Sequence, residues 1–309
     1  MDTVHLSEQW IINGGIRFDD FERNQTGGPG TATTANAAAD SIRNNTANVE
    51  ADLFSWNVGV VYKPVPIASI YAAYGTSESP IGSELDSTGP EYNGLDTRIV
   101  GAKPQEARAV EVGTKWELFD RRLLATAALF QTDVENARTN SNVGTVTPNI
   151  SRAFSGEYRV QGLEVSAAGN ITRDWSVFGG LVLLDTEVRK SDVATDIGRR
   201  LANIPLTQFS LMSKYQLTEQ LAVGGTATYG SAFYAGHLAA NTSFNHTVDW
   251  WRFDAFAEYE LTKNVEIELA GLNLTDELYY DAIYQANPNS FAFVAPGRAG
   301  YLTVKWKYD

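Results

Sequence analysis

The sequence predicts an all-β protein: an antiparallel up-and-down transmembrane β-barrel of about twelve strands. Three observations predict it. Apolar and polar residues alternate over long runs, the connections between runs alternate short and long, and aromatic residues collect beside the short connections. Successive side chains of a strand point to opposite faces, so each run forms a ribbon with one apolar and one polar side.

The strand-like runs are 5–22, 50–63, 67–77, 105–119, 122–139, 157–171, 174–190, 205–217, 220–235, 248–261, 265–274 and 298–308. Tight connections fall at 63–66, 119–122, 171–174, 217–220 and 261–264. Long, polar connections rich in Gly, Asn, Thr, Ser and Asp fall between them, at 23–49, 78–104, 140–156, 191–204, 236–247 and 275–297. A Greek-key sandwich crosses over irregularly. A meander gives strict alternation, with tight turns at one end and long loops at the other, as in barrels with short periplasmic turns and long extracellular loops. An even strand number would put both termini at the short-turn end. A soluble all-β binding protein with decorated loops is the competing reading, weakened because loops beyond about 12–15 residues are uncommon in compact domains. Tyr62, Trp116, Trp175, Tyr215, Tyr259, Trp306 and Tyr308 lie near the tight turns or the C-terminus and read as an aromatic girdle at one membrane interface.

The last strands show the pattern most clearly. Trp251, Phe253, Tyr259 and Leu261 alternate with Arg252, Asp254, Glu258 and Glu260; Val265, Ile267 and Leu269 alternate with Glu266 and Glu268. Face parity makes Thr262, Lys263 and Asn264 the turn and places Glu258 and Glu260 opposite Glu268 and Glu266. Like charges in opposition destabilise a sheet. Lys305 and Lys307 of the final strand are the cations expected beside them, completing a lumen charge cluster of Glu258, Glu260, Glu266, Glu268, Lys305 and Lys307. One hairpin pair fits a soluble sandwich or a membrane barrel equally well; the connections favour the barrel.

Composition narrows the function classes. The 309 residues carry a net charge of −13, which argues against nucleic acid as a partner. Cysteine is absent, removing disulfide scaffolds and thiol chemistry. No apolar run approaches the ~18 residues of a membrane helix, a test that barrel strands escape. Met1 begins no export signal. The three histidines have no serine or carboxylate pattern around them, and no phosphate-binding, zinc or calcium motif occurs. The expectation is a non-enzyme with no catalytic residues, no metal site and no resident cofactor.

Four stretches resemble TonB-dependent outer-membrane receptors, the ferric-siderophore branch in particular. They are PQEARAVEVGTKWELFDRRLLATAALFQTDVENAR at 104–138, RVQGLEVSAAGNITRDWSVFGGLVLLDTEV at 159–188, RRLANIPLTQFSLMSKYQL at 199–217, and GLNLTDELYYDA with PGRAGYLTVKWKY at the end. The resemblance implies a 22-stranded barrel filled by an N-terminal plug that contacts the TonB complex. Residues 1–309 would be the C-terminal part of that barrel, a single domain with plug and signal peptide outside it. It also implies a bacterial outer-membrane location, contact with membrane lipid and lipopolysaccharide, and a ferric siderophore as transported ligand.

Glu111 and Glu164 match family carboxylates that face the lumen and anchor the plug; the other reading is two solvated lumen charges. The strand alternation agrees with a lumen placement, since Val110, Val112, Thr114 and Trp116 would face lipid and leave Glu111 and Lys115 inside. Arg138, Arg152, Tyr279 and Tyr280 are the ligand-binding candidates, because cationic and aromatic groups suit anionic catecholate chelates; the two tyrosines read equally well as girdle residues. A passive twelve-stranded porin-like channel that closes on itself is the alternative function.

Overall fold

A computed structural model describes residues 1–25, 47–80, 103–137, 156–191, 194–235, 246–285 and 290–308. Its strands are β1 (Asp2–His5), β2 (Trp10–Gln25), β3 (Ala47–Val65), β4 (Ala68–Ser79), β5 (Gln105–Leu118), β6 (Leu123–Ala137), β7 (Gly156–Asn170), β8 (Trp175–Lys190), β9 (Thr207–Gln216), β10 (Leu221–Gly230), β11 (Trp250–Thr262), β12 (Val265–Leu272), β13 (Tyr280–Gln285), β14 (Ser290–Val294) and β15 (Ala299–Trp306). The main sheet is a 13-stranded antiparallel meander in the order β1 to β12 and then β15. β1 and β15 are its two edges among the described residues. β13 and β14 form a separate hairpin rising from the connection between β12 and β15.

The strand count differs from the sequence expectation at two places. The run expected at 5–22 is broken at Leu6–Gln9 into a hairpin, so the sheet holds an odd number of strands and Asp2 pairs with Gly14. Residues 275–297, expected as a loop, contain β13 and β14.

Four of the tight turns share one chemical device. In LSEQW at 6–10, the Ser7 hydroxyl accepts from the Gln9 and Trp10 amides. In ITRDW at 171–175, Thr172 accepts from Asp174. In LTEQL at 217–221 and LTKNV at 261–265, Thr218 and Thr262 each accept from the amides two and three residues on. A short hydroxyl side chain thereby supplies the turn's missing hydrogen bonds. The last of these is tighter than parity implied: Leu261 is passed over by a bulge, Thr262 pairs with Val265, and only Lys263 and Asn264 form the bend. Successive turns are then tied together through backbone bonds such as Lys63 N to Gln9 O at 2.8 Å, Gln216 N to Asp174 O at 2.8 Å and Lys307 N to Asn264 O at 2.9 Å.

Register divides the sheet cleanly into two faces. On β2 and β3 the apolar face pairs Trp10 with Tyr62, Ile12 with Val60, Ile16 with Trp56 and Phe18 with Phe54. It then turns acidic, pairing Asp20 with Asp52 and Glu22 with Glu50. Trp10 to Phe18 rises roughly 3.3 Å per residue, which at a tilt of about 40° spans about 20 Å. That is near the height of a barrel's lipid-facing band. Aromatic rows border it below (Trp10, Tyr62, Trp116, Trp175, Tyr215, Tyr259, Trp306) and above (Phe18, Phe54, Trp56, Tyr74, Phe209, Tyr229, Trp251). Trp10 and Tyr62 lie 4.6 Å apart between ring centroids, and Tyr229 and Trp251 4.9 Å. The sequence had suggested only the lower row.

This face is open. Leu269, Leu302 and Val304 are each more than 60% exposed, and no described element covers them. Behind the apolar band the other face carries Lys115, Lys214 and Lys305 together with Glu111, Glu164, Glu258, Glu266 and Glu268.

Candidate functional site on the polar inner face

Three groups of side chains organise the polar face from the tight-turn end upward. At the base, β11 and β12 set Glu258 opposite Glu268 and Glu260 opposite Glu266, as face parity requires. Lys305 answers two of these carboxylates at once, its Nζ 2.9 Å from Glu266 and 3.0 Å from Glu268. Glu258 is held by Lys214 of β9, a cation the sequence did not single out. Lys307 lies beyond the end of β15 and forms no ion pair among the described residues; Lys305 and Lys214 do the work expected of Lys305 and Lys307. Glu260 is exposed at the rim of the cluster.

At mid-height, β4 to β7 bring Glu111 and Glu164 onto the same face. Glu111 is in register with Ala73 and Phe130, and Glu164 with Ala128, whose other partner is Gly113. The Tyr71 hydroxyl donates to Glu111. Its ring lies over Gly113, where a Cβ would fall 2.6 Å from the ring carbon bearing the hydroxyl. Only glycine lets the ring lie flat there. Lys115 Nζ stands 5.2 Å from the same ring's centroid, within cation–π range. The result is a carboxylate held by a phenol, with a second carboxylate, Glu164, exposed beside it.

At the upper end, Trp250 stacks on Tyr279 with centroids 4.2 Å apart. Arg252 donates to the Tyr279 hydroxyl at 3.0 Å and pairs with Asp254 at 3.0 Å. Asp254 in turn accepts from the Asn273 amide at 2.8 Å. Asn273, 1% exposed, donates to the carbonyls of Glu277 and Pro296 and accepts from the Glu277 amide. This chain fixes the segment bearing β13 and β14 to the wall.

The proposed ligand residues are distributed unevenly. Tyr279 is 4% exposed and engaged with Trp250 and Arg252, whereas Tyr280 is half-buried at the start of β13. Arg138 and Arg152 lie outside the described residues. Arg252, which sequence reasoning passed over, is the described cation nearest Tyr279; its place between Trp251 and Phe253 on an alternating strand was the signal. Among the described residues no group of His, Asp and Glu is arranged to hold a metal ion.

Comparison with known proteins agrees with this geometry. Residues 1–274 match the family model described as TonB dependent receptor-like, beta-barrel. The chain belongs to that family, and its place is the bacterial outer membrane. It is 35% identical over 313 residues to the probable TonB-dependent receptor BfrD of Bordetella pertussis, covering 99% of this chain and 40% of the relative. It is 32% identical over 292 residues to the catecholate siderophore receptor Fiu of Escherichia coli K12, covering 91% of this chain and 38% of the relative. The crystal structure of the siderophore receptor PiuA from Acinetobacter baumannii superimposes with a TM-score of 0.86 at 30% identity, over 99% of this chain and 42% of that one. The chain thus spans about two-fifths of the length of these relatives. In such barrels the apolar face meets lipid and the polar face lines the lumen.

Proposed function

We propose that this chain forms the C-terminal part of the wall of a TonB-dependent receptor that imports a ferric siderophore across the outer membrane. The observation that carries the reading is the open sheet. Its two edges, unpaired among the described residues, and its polar face with Glu111 and Glu164 suit a larger barrel filled by a second body better than a small pore closed on itself. Of the relatives that match nearly the whole chain, PiuA is named a probable siderophore receptor and Fiu a catecholate one, while BfrD is named a probable TonB-dependent receptor.

In this reading Glu111 and Glu164 hold cationic groups of the plug, since a carboxylate in a filled lumen needs a positive partner. Arg252, with Tyr280, Arg138 and Arg152, faces an anionic catecholate-type chelate, whose iron is cargo and not a resident cofactor. Lipid and lipopolysaccharide surround the apolar face. The TonB complex acts through the plug. The role is transport and not catalysis.

The test is iron uptake from a ferric catecholate by the protein expressed in a host lacking its own catecholate receptors. Uptake abolished by loss of TonB supports the proposal. Ion conductance by the purified chain in planar bilayers, without TonB-dependent uptake, would instead establish a passive channel.

A further inference from the structure

Above β8 to β12 the described parts of three connections close on one another. Asn203, in the stretch RRLANIP that leads into β9, has φ +57°, a left-handed conformation that asparagine tolerates better than most residues bearing a Cβ. The bend there aims its polar groups at different neighbours. Its amide donates at 2.8 Å to the carbonyl of Tyr234, in the connection after β10. Its side-chain oxygen accepts from the Ile283 amide of β13, 80 residues further on, at 3.1 Å.

Apolar packing joins the same partners. Phe233, Ala235 and Ile283 are 4%, 7% and 7% exposed and form one buried cluster. Paired bonds brace the connection after β10 on either side of it. The Phe233 amide donates to the Thr247 hydroxyl at 3.0 Å, and the Thr247 amide to the Phe233 carbonyl at 2.9 Å. The Ser231 amide donates to the Thr207 carbonyl at 2.9 Å, and the Thr207 amide to the Ser231 hydroxyl at 3.0 Å. The hairpin of β13 and β14 is therefore fastened twice. Asn273 holds its base to Glu277 and Pro296, and Ile283 holds its middle to two other connections.

We propose that Asn203 is a clasp that makes these three connections one cooperative unit, so that a pull on the hairpin is felt at Phe233 and Thr247. Breaking the bond from Ile283 to Asn203 leaves a buried amide without its partner. It also frees Ile283 to leave Phe233 and Ala235, which loosens the segment that carries them. Segments that share one buried surface open together. The coupling does not depend on what the protein transports.

Hydrogen–deuterium exchange of the folded full chain in detergent micelles, resolved to single amides, tests it. Asn203→Gly keeps the left-handed backbone and removes the acceptor. Exchange is expected to become about tenfold faster at Ile283, and several-fold faster at Phe233 and Thr247, with Val112 of β5 unchanged. Asn203→Asp, which keeps both the acceptor and the backbone, exchanges as the parent does. Should Asn203→Gly fail to fold, Ile283→Ala is read on the same Phe233 and Thr247 amides and is expected to speed both several-fold. Acceleration confined to Ile283, equal acceleration by Asp and Gly at position 203, or parental rates at Phe233 and Thr247 in Ile283→Ala overturns the clasp.

Discussion

Lys305 stands opposite Glu266 across the final strand pair, Nζ 2.9 Å from the carboxylate, on the face turned away from Val304 and Trp306. It also reaches Glu268, so one cation offsets two carboxylates whose cross-strand partners, Glu260 and Glu258, are carboxylates too. Replacing it with a neutral chain of similar length, Lys305→Met, leaves like charges in direct opposition. The folded barrel then loses thermal stability at low ionic strength and regains most of it in high salt, because the repulsion is screened. Heat-modifiable gel mobility against temperature reports both effects. Indifference to salt would show that the cluster is not electrostatically coupled.

Leu302 pairs with Leu269 in the middle of the apolar face, and both are largely exposed. Leu302→Arg puts a charge in the hydrocarbon and costs about 2–4 kcal/mol in denaturant-driven unfolding from bilayers. Thr303→Arg, one residue on and facing Glu268, stays within about 0.5 kcal/mol of the parent.

The Tyr71 ring and Gly113 occupy one space between them. Gly113→Ala thrusts a methyl into the ring and displaces the hydroxyl from Glu111. Tyr71→Ala removes the obstacle. The double variant is therefore less destabilised than the sum of the singles, with a coupling of about 0.5–3 kcal/mol in a double-mutant cycle.

Asn273 ties the segment carrying β13 and β14 to the wall through its own side-chain bonds to Glu277 and Pro296. Asn273→Ala strands those backbone groups at a cost of about 1–3 kcal/mol. Limited proteolysis of the folded protein will then cut first between 274 and 298. An unchanged cleavage pattern would mean that Trp250 and Arg252 suffice to hold the segment.

The architecture was legible because it needs only two periods: side chains alternating every second residue, and connections alternating short and long. The opposition of Glu258 to Glu268 followed from parity alone. What escaped lay in chemistry that parity does not see. The turn at Leu6–Gln9 repeats the hydroxyl-led pattern of Leu217–Gln220 and was read through as strand. The bulge at Leu261 costs parity nothing on the side that was read, so it left no sign. Glu111 was visible as a carboxylate on the polar face, but its partner Tyr71 was not. That contact depends on a ring reaching diagonally over a glycine on the next strand, and no local sequence encodes it. Lys214 joined the charge cluster for the same reason, arriving from two strands away. The hairpin of β13 and β14 was masked by the polar residues around it, although SFAFV at 290–294 is strand-like.

The absence of native cysteine permits a direct test of which face meets lipid. Single cysteines placed in turn at Tyr301, Leu302, Thr303, Val304 and Lys305, spin-labelled in reconstituted membranes, report oxygen and nickel-chelate access. A period of two is expected, with 302 and 304 open to oxygen in the hydrocarbon and 301, 303 and 305 open to the aqueous chelate. Chelate access at 302 and 304 with oxygen access at 303 and 305, or no alternation at all, would contradict it.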